Sequence, residues 1–470
     1  MLFYLERGLP LAIEPCSRIS FTMPGDDPLL NFSGVRISGT PPKSRWDICC
    51  QNGRIKNMER TSQGESNTGK QFLIPSLCHP HIHLDKCFLL SHPKYADLEI
   101  KHGDFAEAMK LTGKAKSRFE HDDLIERGQA LIEESINFGV THMRAFVEVD
   151  LDVGMKCLDA GLELKERFRK ECYVQICVFA QNPIVSYSDG GKEMKNQLEA
   201  AAKRYGVEVL GSTPYVEKNG DREAQVANLE FTMQAAKKHG LHVDFHIDYN
   251  LDPNQSSVVL DALELLHNIG WPLDKSSPEY RTIVFGHCTR LTLFDPDAWL
   301  NLGEKIGNLP VSFVGLPTSD LLMMGRPNEH SGGGERVRGT LQVVQMIRKY
   351  RLNAAIGINN VGNAFTPQGN CDPLSLASFG VVVYQAGTKE DADLLLQCVT
   401  SRARYAIGLN FSLSDDMSLA AGDPADFVVF GNESSTGSRS FRARTSTQEL
   451  VNDAGHERTT IFQGRVVSRR

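Results

Sequence analysis

The sequence contains no apolar run of 18 or more residues, no CxxC pair and no long basic stretch. A membrane-spanning helix needs about 20 consecutive apolar residues, so we expect no such helix. The 51 basic and 58 acidic residues give a net charge of −7, which disfavours binding to a nucleic-acid backbone. The first residues, MLFYLERGLPLAIEP, lack the basic segment of a secretory signal, and a cytoplasmic location is therefore expected.

Cysteine is present without a pattern, as eleven residues at irregular spacings with Cys49 and Cys50 adjacent. Reduced thiols in a cytosolic protein are the expected state. The lack of a PCxxC element also excludes the small zinc-deaminase fold that binds its metal through this element. Any deaminase chemistry in this chain must use a different scaffold.

The middle of the chain alternates short apolar runs with amphipathic, helix-sized segments, two of which (DLIERGQALIEESINFG and QVANLEFTMQAAKKHG) end in glycine as capped helices do. This pattern predicts eight strands and an α/β fold, a (β/α)8 TIM-like barrel, although a doubly wound open sheet has the same alternation. The eight runs are 72–77, 141–149, 173–180, 208–210, 242–246, 282–285, 311–314 and 353–358.

Both ends of the chain read as short strands with hairpin turns, at Asn52-Gly53 and at Gln463-Gly464. Neither end alone has enough strands for independent stability. We therefore predict a small β-sandwich domain built from residues 1–75 and 406–470, packed against a barrel formed by residues 76–405.

The sharpest chemical signal is the pair His81 and His83 in IPSLCHPHIHLDK. Side chains two residues apart on a strand point to the same face, so both imidazoles converge on one point. At the carboxyl end of a barrel strand, that point is the mouth of the active site. The pair indicates ligands for one divalent ion, with zinc or iron favoured by nitrogen ligation.

Two further histidines end predicted strands: His246 closes HVDFHID and His287 closes TIVFGHC. Either one alone fits a packed core residue. Together with the upstream pair they complete a three-ligand metal site and an acid–base group. Three neutral imidazoles around zinc leave one position open for water.

These histidines occur within a longer series of ordered segments: PHIHLDK, VDFHIDYNLDP, VFGHC, LPTSDLLMMGR and GINNVGNAFTPQGNCDP. The series resembles the cytosine deaminase branch of the amidohydrolase superfamily, which includes the isopropylammelide-type aminohydrolases. The resemblance covers essentially the whole chain. It implies a metal-dependent hydrolase that acts on a non-peptide C–N bond of a small-molecule substrate, and it leaves a homo-oligomer open.

The resemblance assigns His81, His83 and His246 to the metal and His287 to proton transfer. Gln181 matches a glutamine that hydrogen-bonds a pyrimidine-like ring.

Lys86 follows the HxHLD element, as a lysine does in many relatives, and Phe146 stands near the place of a usual second-strand histidine. We place Gln181, Lys86 and Phe146 among the substrate-binding residues.

Two positions depart from the family pattern. Tyr249 stands where the branch has a proton-shuttling glutamate, and Asn359 stands where it has a metal-contacting aspartate. An amide is no general base near pH 7, and a phenol with a reference pKa of about 10 shuttles protons poorly. Proton transfer then falls to His287 or to Asp248, and deamination of cytosine itself is expected to be poor.

Three functions remain open from the sequence. The first is an active hydrolase for a cyclic amidine, amide or N-alkylamine. The second is a lyase, isomerase or cyclase that uses the metal as a Lewis acid. The third is an inactive descendant that binds a ligand, because one fold hosts many functions.

Overall fold

The computed structural model describes residues 29–61, 71–325, 339–409, 419–431, 444–455 and 457–470. Part of the predicted terminal domain, residues 1–28 and 62–70, lies outside the described residues. Within the described ranges, no helix combines the length and the apolar character that crossing a membrane requires.

The described residues form fifteen strands. In chain order these are β1 Leu30–Ile37, β2 Trp46–Gln51, β3 Arg54–Arg60, β4 Phe72–Pro75, β5 Leu77–His83, β6 Val140–Glu148, β7 Tyr173–Ala180, β8 Val207–Ser212, β9 His242–Ile247, β10 Ile283–His287, β11 Val311–Gly315, β12 Ala354–Ile356, β13 Phe427–Phe430, β14 Arg458–Phe462 and β15 Arg465–Arg469.

Thirteen α-helices lie among these strands. They are α1 Phe105–Lys116, α2 His121–Asn137, α3 Lys156–Arg167, α4 Lys192–Ala202, α5 Arg222–His239, α6 Val259–Asn268, α7 Pro296–Ile306, α8 Pro317–Met323, α9 Val343–Tyr350, α10 Pro373–Val383, α11 Lys389–Cys398, α12 Ser401–Ala406 and α13 Thr447–Asn452. The two glycine-terminated helices predicted from the sequence are α2 and α5, and Gly240 caps α5 in the left-handed conformation with φ 65°.

Strands β5 to β12 form one parallel sheet in sequence order, with helices between successive strands. Two backbone hydrogen bonds join its two edges: the Asn359 amide donates to the His81 carbonyl at 3.2 Å, and the His83 amide donates to the Asn359 carbonyl at 2.8 Å. The predicted (β/α)8 barrel is confirmed, and the alternative that the sequence left open, a doubly wound open sheet, is wrong.

The run 72–77, counted from the sequence as the first barrel strand, divides between two sheets. Its first part is β4, which pairs with β1 and β13, whereas the first barrel strand β5 begins at Leu77 and carries the HxH pair. Both strands are buried at every residue, so no alternation of buried and exposed residues marks the crossing between them.

The second sheet has seven strands in the order β15-β14-β13-β4-β1-β2-β3, and it therefore joins strands from residues 30–75 with strands from residues 427–469. The two predicted hairpins join β2 to β3 and β14 to β15, with positive φ at Asn52, Gly53, Gln463 and Gly464. The prediction of a small β domain made from both ends is confirmed. The residue boundaries 1–75 with 406–470, against 76–405, stay a prediction.

A buried ion pair ties the small sheet to the barrel. Arg458 of β14 donates through both terminal nitrogens to the Asp372 carboxylate, each at 2.7 Å, and also to the Phe138 carbonyl at 2.6 Å. Asp372 begins α10 and Phe138 follows α2, so one guanidinium holds three segments. Both partners are at most 2% exposed, and a bidentate arginine pair has the geometry that offsets their desolvation.

We expect Arg458→Ala to lower the free energy of unfolding by about 3–5 kcal/mol, because it leaves the Asp372 carboxylate buried without its partner. The exposed pair Arg169–Glu166 provides the control, since Arg169→Ala removes an ion pair that water screens. Urea unfolding of both variants measures the difference. Equal, small losses in the two variants would contradict a joining role for Arg458.

Candidate metal and active site

Three imidazoles meet at the carboxyl end of the barrel. The Nε2 atoms of His81 and His83 each lie 3.0 Å from Nε2 of His246, and all three side chains are buried. Their ring nitrogens form one group of donors suited to a metal ion. The two β5 histidines come from one strand by the period of two, and the third comes from β9.

The chemistry of this donor set fits a divalent cation. Burial lowers the pKa of all three imidazoles well below the usual range, so each is neutral and carries one lone pair. Nitrogens bound to one tetrahedral zinc at about 2.0–2.1 Å lie about 3.3 Å apart, close to the separations found here. The three Nδ1 atoms have no hydrogen-bond partner among the described residues. The nitrogens that face one another are the three Nε2 atoms.

Two glycines make room for His81. A Cβ at Gly286 would lie 3.3 Å from the His81 ring, and a Cβ at Gly357 would lie 3.2 Å from its Cβ. Below the ring, Nδ1 faces the Asp244 carboxylate at 3.8 Å, and Asp244 is itself bound by Arg144 at 2.7 Å. At this distance Asp244 makes no hydrogen bond to the ring, and it places a carboxylate behind His81. The sequence analysis did not name Asp244. Its position two residues before His246 on the same strand could have indicated that it lies on the face of the histidine.

His287 stands beside the triad with its ring orientation set by a carboxylate. Its Nδ1 lies 2.8 Å from Oδ1 of Asp320, while Oδ2 of Asp320 accepts from the Thr340 hydroxyl at 2.6 Å. The Nδ1 proton is therefore donated to Asp320, and Nε2 is left as an acceptor. Asp320 lies inside the LPTSDLLMMGR segment, but the sequence alone assigned it no role.

Both departures from the family pattern lie at this site. The Tyr249 ring lies over the His287 ring, with centroids 3.9 Å apart, and burial raises the pKa of Tyr249 well above its usual value, so the phenol is neutral. Asn359 donates from Nδ2 to the Ser319 hydroxyl at 2.9 Å, and its Oδ1 has no hydrogen-bond partner among the described residues. A neutral carbonyl oxygen thus stands where a carboxylate was expected.

Three of the strand-end residues have left-handed backbones: Asp248 at φ 53°, His287 at φ 65° and Asn359 at φ 69°. Residues other than glycine rarely adopt this conformation, and asparagine, aspartate and histidine adopt it more often than the rest; it occurs in turns and at functional sites. The strain is offset by the barrel pairing on either side, and it turns the chain sharply at the mouth.

A small cavity, partly open to solvent, lies above the triad. It brings together seven of the ten predicted site residues, and Phe105, Tyr215, Asn360 and Phe365, which the sequence did not indicate, complete the described lining. The seven are His83, Lys86, Gln181, His246, Tyr249, His287 and Asn359.

The other three predicted residues lie outside the described lining. His81 is covered within the triad. Phe146 packs under the histidines, 4.1 Å from the His81 ring centroid. Asp248 accepts from the Ser257 hydroxyl and from the Val258 amide at 2.7 Å, so its carboxylate holds the following loop. This geometry favours His287 over Asp248 as the proton-transfer group.

Lys86 is buried at the cavity wall. Its ammonium donates to Glu148 at 2.8 Å and to Gln181 at 2.9 Å, and Glu148 also pairs with Lys116 at 2.5 Å. Burial opposes ionisation of Glu148, but Lys116 and Lys86 together lower its pKa below the usual value. Lys116 in turn pairs with Asp150. Burial alone would lower the pKa of Lys116, but the carboxylates of Glu148 and Asp150 outweigh burial and raise it.

No protein-family model matches the chain. The chain is 23% identical to a pterin deaminase of Rhizobium rhizogenes over 451 residues, covering 94% of this chain and 91% of that protein. It is 20% identical to an N-isopropylammelide isopropyl amidohydrolase of Pseudomonas sp. (strain ADP), covering 83% and 88% of the two chains.

Among solved structures, the chain superposes on a 5-methylcytosine deaminase from Klebsiella pneumoniae, liganded with 5-fluorocytosine, with a TM-score of 0.77. The identity is 22%, and the match covers 94% of this chain and 98% of that one. At this identity the structural likeness shows the fold. Sequence similarity and fold thus agree over nearly the whole chain, and its predicted resemblance to the amidohydrolase superfamily is confirmed.

Proposed function

We propose that this chain is a metal-dependent hydrolase that cleaves a non-peptide C–N bond of a cyclic amidine, amide or N-alkylamine, in the manner of a deaminase. The observation that carries the proposal is the convergence of three neutral imidazoles beside a fourth, His287, whose Nε2 is an available acceptor. Relatives named as deaminases and as an amidohydrolase support it.

His81, His83 and His246 would hold a divalent ion, which when bound would supply the activation of a water molecule for attack. His287 accepts a proton from the attacking water at Nε2 and returns it to the leaving nitrogen. Asp320 holds the Nδ1 proton through both steps and stabilises the imidazolium between them, as a carboxylate does beside a catalytic histidine.

Tyr249 and Asn359 make this a site with one base. Asn359 offers a neutral oxygen and takes no proton, and the neutral phenol of Tyr249 packs on His287 instead of carrying protons to the ring. A positioned acid or base contributes about 10²- to 10⁴-fold to a rate. In the cytosine deaminase branch, the deamination of cytosine uses the two carboxylates that Tyr249 and Asn359 replace. Cytosine is therefore expected to be a poor substrate of this chain.

The second candidate is a lyase, isomerase or cyclase that uses the ion as a Lewis acid. It is favoured by the lack of any carboxylate among the described residues that line the cavity. The retained His287–Asp320 pair favours hydrolysis, because it provides both proton transfers that hydrolysis needs.

Zinc or iron is proposed as the ion, since both accept three imidazole ligands. The small-molecule substrate is supported by the relatives, which are named as a pterin deaminase and an N-isopropylammelide isopropyl amidohydrolase. Cytoplasmic location and self-association stay predictions from the sequence.

Metal binding is the first test. Protein produced in zinc-supplemented medium is expected to hold about one zinc per chain, and His83→Ala or His246→Ala to lose it, because two imidazoles bind too weakly. His79→Ala is the matched control: His79 is a buried histidine of the same strand, but its Nε2 bonds Ser135 at 3.1 Å. Elemental analysis decides the outcome, and metal-free wild-type protein would refute the proposal.

The role of His287 is tested by ammonia and amine release from a panel of ring amides, including N-alkylated and larger rings. His287→Ala is expected to lower kcat by about 10²- to 10⁴-fold at unchanged metal content. Asp320→Asn should also lower kcat with little change in KM, because an amide that donates to Nδ1 imposes the wrong tautomer. Retention of wild-type kcat in Asp320→Asn would remove Asp320 from the mechanism.

The last test asks whether the missing carboxylates limit deamination. The double variant Tyr249→Glu, Asn359→Asp is expected to raise ammonia release from a cytosine-like ring by about 10²-fold or more. The Ser319 hydroxyl, which accepts from Asn359, can donate to an aspartate in its place. If wild-type protein turns over cytosine rapidly and Asn359→Asp slows it, the amide belongs to an evolved mechanism and the expectation is wrong.

A further inference from the structure

Lys86 is the charged group of the described cavity lining, apart from the histidines. Its Nζ donates to Oε1 of Glu148 and Oε1 of Gln181, and it lies 5.8 and 5.5 Å from the ring centroids of Phe179 and Phe365. An ammonium carries three N–H donors. Two of them are used by these hydrogen bonds, and the third is available to a molecule in the cavity.

The hydrogen bond from Lys86 fixes the orientation of the Gln181 carboxamide. An ammonium has no acceptor, so the atom 2.9 Å from it must be the carboxamide oxygen. One lone pair of that oxygen is used by Lys86, and the Nε2 group of Gln181 keeps its two donors for acceptors on a ring.

A chain of hydrogen bonds orients Asn360 in the same way. Oδ1 of Asn363 accepts from the backbone amides of Phe365 and Thr366, so Nδ2 of Asn363 faces Oδ1 of Asn360 at 2.8 Å. Asn360 therefore turns Nδ2 outward, and it also lines the cavity. Lys86, Gln181 and Asn360 together make a wall that offers hydrogen-bond donors and one positive charge.

We infer that the substrate is a planar heterocycle with an anionic oxygen, an ionised ring-oxo group or a ring carboxylate, bound by Lys86, Gln181 and Asn360. This inference rests on the proposed function. The bound edge presents acceptors to the ammonium of Lys86 and to the amide donors of Gln181 and Asn360. The aromatic side chains of Phe365 and Tyr215, both in the lining, provide flat apolar surface for the ring.

Three probes separate the two sources of the anion. Uracil is neutral, barbiturate carries an ionised ring-oxo group, and orotate carries a ring carboxylate, all at neutral pH. Calorimetry on the zinc-loaded protein is expected to show at least one of the anions binding about tenfold or more tightly than uracil. The anion that binds more tightly identifies the source. Equal or weaker binding of both anions, or no binding of any ring, overturns the inference.

Lys86→Met should reduce the affinity for the preferred anion by about 10- to 100-fold and leave that for uracil nearly unchanged. Lys116→Met is the matched control, because it also removes a buried ammonium from Glu148 but Lys116 does not belong to the described lining. It is expected to keep the preference. Retained preference in Lys86→Met shows that the ion alone attracts the anion and overturns the inference.

A second variant guards against misfolding. Lys86→Met combined with Glu148→Gln removes both charges of the pair, so the Glu148 carboxylate is not left buried without Lys86. This double variant should also lose the preference for the anion over uracil. The zinc content of the protein distinguishes a failure of the proposed function from a failure of this inference. A wild-type chain that binds no zinc refutes the proposed function, whereas the preference for an anion over uracil, measured on that chain and its Lys86→Met variant, still decides the inference.

Discussion

The site depends on the closure of the barrel at Asn359. Its backbone bonds to both His81 and His83, and these are the contacts that join the last strand to the first. Closure brings the HxH pair within 3.0 Å of His246, a residue about 165 positions away in the chain. Without this pairing, the histidines would lie at the edge of an open sheet and would not form one ligand set.

Close packing under the triad maintains that arrangement. Phe146 and Phe179 lie directly beneath the imidazoles, with ring centroids 4.1 Å from His81 and 4.3 Å from His246. Burial of this kind keeps the imidazoles neutral, which is the form that binds a metal. The apolar layer and the histidine triad are therefore one structural unit, and a change in either affects the other.

Tyr249 and Asn359 contribute neutral side chains to the cavity. With Tyr249 and Asn359 in place, the described lining contains no acid, and Lys86 has no counter-charge inside the cavity. Its partner Glu148 lies behind it and is shared with Lys116. A cavity whose described lining has a lysine and no carboxylate suits the anionic substrate that we propose.

The sequence by itself determined the alternation of strands and helices, the terminal hairpins and the four histidines, because each depends on a short-range period or turn. It did not locate the crossing between the two sheets near Ser76, since both strands are buried on all sides. Nor did it reveal the Lys86–Glu148 and His287–Asp320 pairs, or that Asp248 holds a loop. Only the tertiary structure decided these, because they join residues of different strands and loops, and such contacts depend on register, barrel closure and the orientation of each amide.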